Sequence, residues 1–168
     1  MSTQRRFSIV LVCTGNICRS PMAKGILEDL LSAKALSMTD IGSAGTGAIA
    51  GLPASENSVV VCGEEGIDIS SLRSRPLSRD LVEESDLILT MEEHHLDAAR
   101  RLAPEQADRI HLLARYAADD DTAPVAGVAD PIGGSVEDYR VAFVQIREQI
   151  HQALPRIERE ILAGVVES

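Results

Sequence analysis

The sequence predicts an α/β fold: a single doubly wound domain over residues 1–168, with a four-stranded parallel sheet and helices on both faces. Short apolar runs typical of buried strands alternate along the chain with longer segments of helical periodicity. That alternation favours parallel strands joined by right-handed helical crossovers. No internal repeat, low-complexity segment or linker divides the chain, and a length of 168 residues suits one domain.

The first predicted strand is almost wholly apolar from Phe7 to Val12, as expected of a strand covered on both faces. Strands are expected near residues 7–12, 38–43, 86–90 and 109–113. Helices are expected near residues 20–35, 54–65, 92–102 and 135–162. The last helix carries one apolar stripe, which predicts packing on the sheet, and Pro155 within it predicts a kink or a break near Leu154.

The segment that joins the first strand to the first helix carries the candidate chemistry. Backbone N–H groups at a helix start lack helical partners, so they converge on an anion together with the positive end of the helix dipole. The same field favours the thiolate form of Cys13, and the planar guanidinium of Arg19 can bind two phosphate oxygens at once. The sequence therefore predicts a phosphate-binding loop with a cysteine nucleophile, reading Cys13-Thr14-Gly15-Asn16-Ile17-Cys18-Arg19-Ser20-Pro21.

The other residues of this loop fit that interpretation. Ser20 is expected to cap the helix and to donate to the sulfur, Pro21 to occupy its first turn, Gly15 to permit a tight turn, and Asn16 to tolerate a left-handed conformation. The alternative is that Cys13 is a small buried residue and Arg19 a helix-end cation. The combination of all these residues favours the functional interpretation.

An acid is expected at Asp130-Pro131. A leaving group must be protonated as its bond to phosphorus breaks, and a carboxyl group that faces an anionic site can hold the proton it needs. An Asp-Pro pair alone usually starts a turn. Here Ile132, Gly133 and Gly134 extend it into a loop before a helix capped by Ser135.

Four motifs together resemble those of one protein family. They are Val12–Pro21, Ser43–Thr46, Asp86–Met91 and Asp130–Pro131. Through these motifs the chain resembles the low-molecular-weight protein tyrosine phosphatases over nearly all of its length. The protein-arginine phosphatases are a second similar subgroup of the same family.

The resemblance implies a metal-independent, cofactor-independent phosphatase acting on a phosphorylated protein. Cys13 would attack phosphorus to form a cysteinyl phosphate, Arg19 would bind the phosphoryl group, and Asp130 would act first as acid and then as base. The phosphate-binding residues would be Thr14, Gly15, Asn16, Ile17, Cys18, Arg19 and Ser20. Ser20, Ser43 and Pro131 would support this set.

Substrate choice is less clear from the motifs. Apolar Gly47–Ala50, Leu72 and Ile132-Gly133 stand where many members carry aromatic residues or a histidine. The Gly133-Gly134 segment is similar to the arginine phosphatases, whereas Ile17 stands where those enzymes have threonine. We therefore expect phosphotyrosine as substrate, with phosphoarginine as the alternative.

Two further interpretations are less favoured, an arsenate reductase and a non-catalytic phosphate-binding module. The related arsenate reductases usually have glutamine where Pro21 stands. A non-catalytic phosphate-binding module would not need the full set of Cys13, Arg19, Ser20 and Asp130.

Composition excludes several other functions. A net charge of −10 disfavours binding to nucleic acid and to anionic membranes. The apolar run after the basic N-terminal residues is too short for a secretory signal. No apolar run is long enough for a membrane span. An odd count of 3 cysteines suits a reducing cytoplasm. His94, His95, His111 and His151 offer no ligand spacing with a third partner, so no metal site is assigned and metal binding stays a minor alternative. The sequence leaves the oligomeric state open.

The remaining cysteines have separate interpretations. Cys18 could protect an oxidised Cys13 by forming a reversible disulfide with it, or it could simply pack within the loop. Cys62 is expected to be a small buried residue on a helix.

Overall fold

The computed structural model of the protein describes residues 5–166, with side chains described as far as residue 164. The start of the basic N-terminal segment and the last two residues lie outside this range. One sheet of four parallel strands has the order β2-β1-β3-β4. Its strands are β1 (Phe7–Cys13), β2 (Thr39–Gly45), β3 (Leu87–Thr90) and β4 (Ile110–Leu112). The predicted α/β class and four-stranded parallel sheet are confirmed.

Seven α-helices and a short 3₁₀ helix, Pro104–Arg109, connect and cover these strands within the described residues. The helices are α1 (Arg19–Leu30), α2 (Ala33–Ser37), α3 (Glu56–Glu64), α4 (Arg79–Glu84), α5 (Glu93–Leu102), α6 (Leu113–Ala118) and α7 (Val136–Val166). Across residues 5–166, no helix combines the length and apolar character that a membrane crossing requires.

Side chains of the strands alternate between two apolar clusters, one on each face of the sheet. Ile9 and Leu11 of β1 belong to the cluster that includes residues of α1, α3 and α7. Val10 and Val12 belong to the cluster that includes Leu96 of α5. Because both faces are covered, the strands contain few polar residues, which is why they are visible in the sequence.

One helix prediction was wrong in detail, and two short helices were missed. The helix predicted over 20–35 is divided, because Leu31 is extended and Ser32 caps α2 by accepting from the N–H of Ala35. The short helices α4 and α6 were not predicted. Each has only six residues, too few to show a helical period.

Helix α7 runs unbroken through Pro155, so the predicted break is absent. Proline removes one N–H and displaces the carbonyl group four residues earlier, on His151. His151 and Pro155 are both exposed, so water can solvate that carbonyl, while Ile150 and Ile157 stay fully buried on the opposite side. Packing of the apolar stripe therefore maintains the helix.

The carboxyl end of β2 lies directly against the loop that follows β1. The N–H groups of Thr46 and Gly47 donate to the carbonyl oxygens of Cys13 and Thr14, each at 2.9 Å. A Cβ atom on Gly45 would overlap the carbonyl oxygen of Thr14 and would lie 2.9 Å from the backbone nitrogen of Asn16. Gly45 is therefore required by close backbone approach.

We expect Gly45→Ala to lower the free energy of unfolding by about 1–3 kcal/mol, because the added methyl group overpacks a backbone contact. Gly63→Ala is the matched control, since nothing lies within 4 Å of a Cβ there. In the helix, that change should be neutral or stabilise by about 0.5–1 kcal/mol. Urea unfolding of both variants checks the prediction, and equal stabilities would contradict it.

Candidate active site

The loop after β1 presents an unusual run of free backbone donors. Cys13 ends β1, and α1 begins at Arg19 with Cys18 as the residue before its first turn. Within residues 5–166, none of the N–H groups of residues 14–18 donates to another protein atom. Successive free N–H groups beside a helix N-terminus form an anion-binding site.

Asn16 fixes the shape of this loop from within. It is buried and adopts a left-handed φ of 56°. Its side-chain amide donates to the hydroxyl groups of Ser20 at 2.7 Å and Ser43 at 2.9 Å, and its carbonyl oxygen accepts from the N–H of Arg75 at 2.9 Å. The predicted left-handed conformation of Asn16 is confirmed. Leu72, which replaces a residue that is often histidine in similar proteins, is not among the hydrogen-bond partners of Asn16 in the described chain.

Two expectations for the loop were wrong. Gly15 has no positive φ, and a Cβ there would meet only Ile17 at an ordinary 3.7 Å, so the turn does not depend on Gly15. The Ser20 side chain does not cap α1. Its hydroxyl instead lies inside the loop, because it bonds Asn16 and Cys13.

Cys13 lies beneath the loop with 2% of its surface exposed. Its sulfur is 3.0 Å from the hydroxyl oxygen of Ser20. That oxygen already accepts from Asn16, so its own proton can point at the sulfur or, over a longer 3.4 Å, at the Ala44 carbonyl oxygen. A hydrogen bond donated to the sulfur stabilises a thiolate.

The Arg19 guanidinium is buried, with 1% of its surface exposed, and each terminal nitrogen has two partners. Nη1 donates to Glu92 at 2.5 Å and to the Val128 carbonyl oxygen at 2.7 Å. Nη2 donates to Thr14 at 3.3 Å and lies 3.4 Å from the Asp130 carboxylate. Nε is buried and has no partner in the described chain. The contact of Nη2 with Asp130 is an ion pair and not a hydrogen bond, so the edge formed by Nη2 and Nε keeps donor capacity for an anion.

Asp130 occupies a loop whose geometry is set by its neighbours. One carboxylate oxygen accepts from the N–H of Ile132 at 3.1 Å, and the other faces Arg19. The side chain is 36% exposed, so solvent and a substrate can reach it. Pro131 beside it is buried. The structure thus brings Asp130 to the same guanidinium as the Cys13 loop.

Comparison with known proteins agrees with this geometry. The model of the low molecular weight phosphotyrosine protein phosphatase family matches residues 8–163. The chain belongs to this family. The predicted family and the predicted enzyme class, a low-molecular-weight protein-tyrosine-phosphatase, are confirmed.

Similar members of the family carry two kinds of name. A protein-arginine-phosphatase of Geobacillus stearothermophilus is 32% identical over 92% of this chain and 98% of its own length. A probable low molecular weight protein-tyrosine-phosphatase, EpsP, of Ralstonia nicotianae is 33% identical over 89% and 95%. A solved low molecular weight protein tyrosine phosphatase from T. tengcongensis superposes with a TM-score of 0.79 at 34% identity, covering 89% of this chain and 99% of that one.

Two residues of this phosphatase site were missed by sequence reasoning, Glu92 and His95. Both follow β3, whose carboxyl end lies at the same edge of the sheet as that of β1. Burial opposes ionisation of Glu92, but the hydrogen bond and the charge of Arg19 outweigh it and hold the pKa of this carboxyl below its usual value. The position of Glu92 and His95 directly after a predicted parallel strand was the available signal.

His95 is fully buried and uses both ring nitrogens. Nδ1 accepts from the N–H of Glu92 at 3.1 Å, and Nε2 lies 2.7 Å from the hydroxyl oxygen of Thr14. Burial is the largest cause that lowers the pKa of His95, to about 4, and the positive charges of His94 and Arg19 act in the same direction. The imidazole is therefore neutral at neutral pH.

Glu92, His94 and His95 also form a group with metal-ligand chemistry, their ligand atoms lying within 4.8 Å of one another. The statement that these histidines lack a third partner was therefore wrong, since Glu92 is one. Hydrogen bonds to Arg19 and Thr14 and from the Glu92 N–H already occupy this carboxylate and both His95 nitrogens. Hydrogen bonding accounts for the arrangement.

Aliphatic side chains occur on the segments that adjoin the phosphatase loop. Ile17 is half-buried, whereas Ile49 is 70% exposed and Ile132 is 59% exposed. Ile132 follows two residues after Asp130, and Ile49 lies on the segment whose start bonds the Cys13 loop. These positions offer apolar contact without aromatic stacking.

The other cysteines are buried. Cys62 is fully buried in α3, as predicted, and burial raises its pKa to about 12. The Cys18 sulfur lies 3.4 Å from the hydroxyl of Tyr139 and 3.5 Å from that of Ser55, and burial raises its pKa. A protective disulfide between Cys18 and Cys13 stays a prediction.

The lowered pKa of His95 predicts a pH dependence of stability. The unfolded chain protonates this histidine below about 6.5 and the folded chain only near 4, so its contribution to stability is complete above about 6.5 and is lost as the pH falls toward 4. The loss from one such proton is at most about 1.4 kcal/mol per pH unit. His95→Gln lacks this titration, so the stability gap between wild type and variant should narrow from pH 7 to pH 4.5 in urea unfolding. A gap that stays constant would show that His95 does not titrate as described.

Proposed function

We propose that this phosphatase hydrolyses phosphotyrosine in proteins through a cysteinyl-phosphate intermediate, with Cys13 as nucleophile, Arg19 as phosphoryl ligand and Asp130 as acid and base. The observation that carries the proposal is the run of free N–H groups at residues 14–18 around a buried cysteine. Such a cradle binds a tetrahedral oxyanion and holds it in line for attack by the sulfur.

In the first step, the Cys13 thiolate attacks phosphorus and an S–P bond forms. The P–O bond to the tyrosine ring breaks, and Asp130 gives its proton to the departing phenolate oxygen. The backbone N–H groups and Arg19 carry the charge of the transferring phosphoryl group. Asp130 is partly exposed and Cys13 is buried, an arrangement that suits attack from one side of phosphorus and protonation from the other.

In the second step, water attacks the cysteinyl phosphate. The Asp130 carboxylate takes a proton from that water, the S–P bond breaks, and inorganic phosphate leaves. Ser20, 3.0 Å from the sulfur, stabilises the thiolate as it departs. The enzyme returns to its starting protonation state, and every proton moves between Asp130, the leaving group and water.

The partners of Arg19 orient it for this role. Glu92 and the Val128 carbonyl hold Nη1 from one side. Within the described residues Nε is buried without a partner, and Nη2, which forms an ion pair with Asp130, presents a second donor parallel to it. Two phosphoryl oxygens match that spacing, whereas a lysine would provide a single point of contact.

The aliphatic side chains of Ile17, Ile49 and Ile132 are here taken as the entrance to the site, and such an entrance favours a flat aromatic substrate. Ile17 carries no polar group that could accept from a guanidinium, and a buried N–H left unpaired costs on the order of 1–3 kcal/mol. The similar relatives include both tyrosine and arginine phosphatases, so phosphoarginine is the second candidate substrate. The Gly133-Gly134 segment is the feature of this chain that favours it.

We place the enzyme in the cytoplasm as one domain that acts on phosphorylated proteins. The three cysteines are unpaired and buried, which fits a reducing compartment. The acidic net charge of −10 fits a protein that does not bind nucleic acid.

Asp130→Asn should lower kcat toward a phosphotyrosine peptide by about 100-fold or more, because an amide cannot protonate the leaving group. It should also flatten the limb of the pH–rate profile that belongs to the acid. Asp120→Asn is a matched control, since Asp120 accepts from Thr122 on an exposed turn and not from Arg19. Cys13→Ser provides the background rate, which should be undetectable. A wild-type rate in Cys13→Ser, or an unchanged profile in Asp130→Asn, would contradict the mechanism.

Substrate choice is tested by comparing phosphotyrosine and phosphoarginine in the same peptide context. The wild type should have the higher kcat/KM on phosphotyrosine. Ile17→Thr should shift the ratio toward phosphoarginine by about tenfold, equivalent to roughly 1.4 kcal/mol, because the new hydroxyl can accept from the guanidinium. Ile17→Val keeps the entrance apolar and should leave the ratio unchanged. Faster cleavage of phosphoarginine by the wild type would overturn the preference.

A further inference from the structure

The hydroxyl of Thr14 has a hydrogen-bonding arrangement that the steps above do not use. We propose that Thr14 donates a hydrogen bond from this hydroxyl to an oxygen of the bound phosphate ester, and that His95 is the positioning residue that keeps the hydroxyl in its donating state. This inference rests on the proposed function and adds one side-chain donor to the backbone cradle.

The direction of the His95–Thr14 bond follows from the other side of the ring. Nδ1 accepts from the Glu92 N–H at 3.1 Å, and that N–H can only donate. In a neutral imidazole the proton must then be on Nε2. Nε2 therefore donates to the Thr14 oxygen 2.7 Å away. The ring is fully buried, which favours its neutral form.

A second donor reaches the same oxygen. Arg19 Nη2 lies 3.3 Å from the Thr14 hydroxyl oxygen, and a guanidinium has no acceptor atom. A hydroxyl oxygen has two lone pairs, and His95 and Arg19 supply one donor to each. Thr14 can therefore accept nothing further, and its own O–H is committed to donating.

The proton has no acceptor within the described protein. His95 and Arg19 are the hydrogen-bond partners of the Thr14 side chain within residues 5–166, and both are donors to it. Thr14 is exposed, whereas the rest of the loop beside it is mostly buried. The hydroxyl therefore has an uncommitted proton on a residue that solvent or a substrate can reach.

The location of this hydroxyl identifies the acceptor. Arg19 Nη2 contacts both the Thr14 hydroxyl and, at 3.4 Å, the Asp130 carboxylate. Thr14 thus shares one guanidinium nitrogen with the proposed general acid and directly follows the proposed nucleophile. An ester oxygen of a phosphate held by Arg19 would lie within reach, and a charged oxygen accepts more strongly than water does.

Thr14→Val removes the hydroxyl at almost constant volume. It should lower kcat/KM toward p-nitrophenyl phosphate about tenfold, the usual effect of one hydrogen bond to a charged group, and weaken orthovanadate binding to a similar extent. Thr14→Ser should retain most of the activity. Thr122→Val is the matched control, because the Thr122 N–H and hydroxyl both donate to Asp120 on an exposed turn, and it should leave both values unchanged.

The role of His95 is tested by a double-mutant cycle. His95→Leu should cost about as much as Thr14→Val in the wild-type background and nothing further in the Thr14→Val background. His95→Gln, whose amide can also donate, should restore part of the rate if His95→Leu proves unstable. Additive losses would show a purely structural role for His95, and an unchanged vanadate affinity in Thr14→Val would overturn the inference.

The result is distinguishable from failure of the proposed function. If wild type cleaves p-nitrophenyl phosphate and Cys13→Ser does not, while Thr14→Val equals wild type, only this inference fails. If wild type does not cleave the ester, the proposed function fails, and binding of orthovanadate to wild type and Thr14→Val still decides whether the hydroxyl donates.

Discussion

Burial of the Arg19 charge is the constraint on which the site depends. A guanidinium with 1% exposure cannot be solvated by water, so the protein must supply acceptors. It does so from three separate segments: the loop itself through Thr14, the end of β3 through Glu92, and the segment before α7 through the Val128 carbonyl and Asp130. One charged group thereby ties together parts of the chain that are more than 100 residues apart in sequence, Arg19 and Val128 being separated by 109 positions.

The same constraint explains the balance of charge around the phosphate loop. Two carboxylates, Glu92 and Asp130, face one guanidinium, so the site without a substrate is not strongly positive. Glu92 stays ionised because Arg19 holds its pKa down, and it neutralises the edge of the guanidinium that faces away from the cradle. Attraction for the phosphate dianion must then come largely from aligned backbone dipoles. These dipoles are part of the backbone and require no reorganisation during the reaction.

Much of this could be predicted from the sequence, because the informative parts are continuous in it. The strand Phe7–Val12 is buried on both faces, and the loop after it contains most of the reacting groups within a few residues. Ser43 and Asp130 were also found from short motifs. The network around Arg19 was not found, because Glu92 and His95 reach the loop only through the register of β3 against β1, and Val128 joins them only through its hydrogen bond to Met91. Of the kink or break predicted at Pro155, the break is absent for a related reason, since the tertiary packing that maintains α7 outweighs a local propensity.

The segment that carries Asp130 is fastened at both of its ends. At one end, the Val128 N–H donates to the Met91 carbonyl oxygen at 2.9 Å, and the Val128 carbonyl accepts from Arg19. At the other end, Ser135 and Asp138 exchange hydrogen bonds that lock the first turn of α7. Gly133, with a φ of 76°, is the one residue between these anchors that adopts a left-handed conformation. A segment this short between two fixed points cannot swing away as a lid does. The Asp130 side chain can make only small movements above the phosphate-binding loop. Substrate entry should therefore depend on the width of the opening beside Asp130 rather than on a slow closure step.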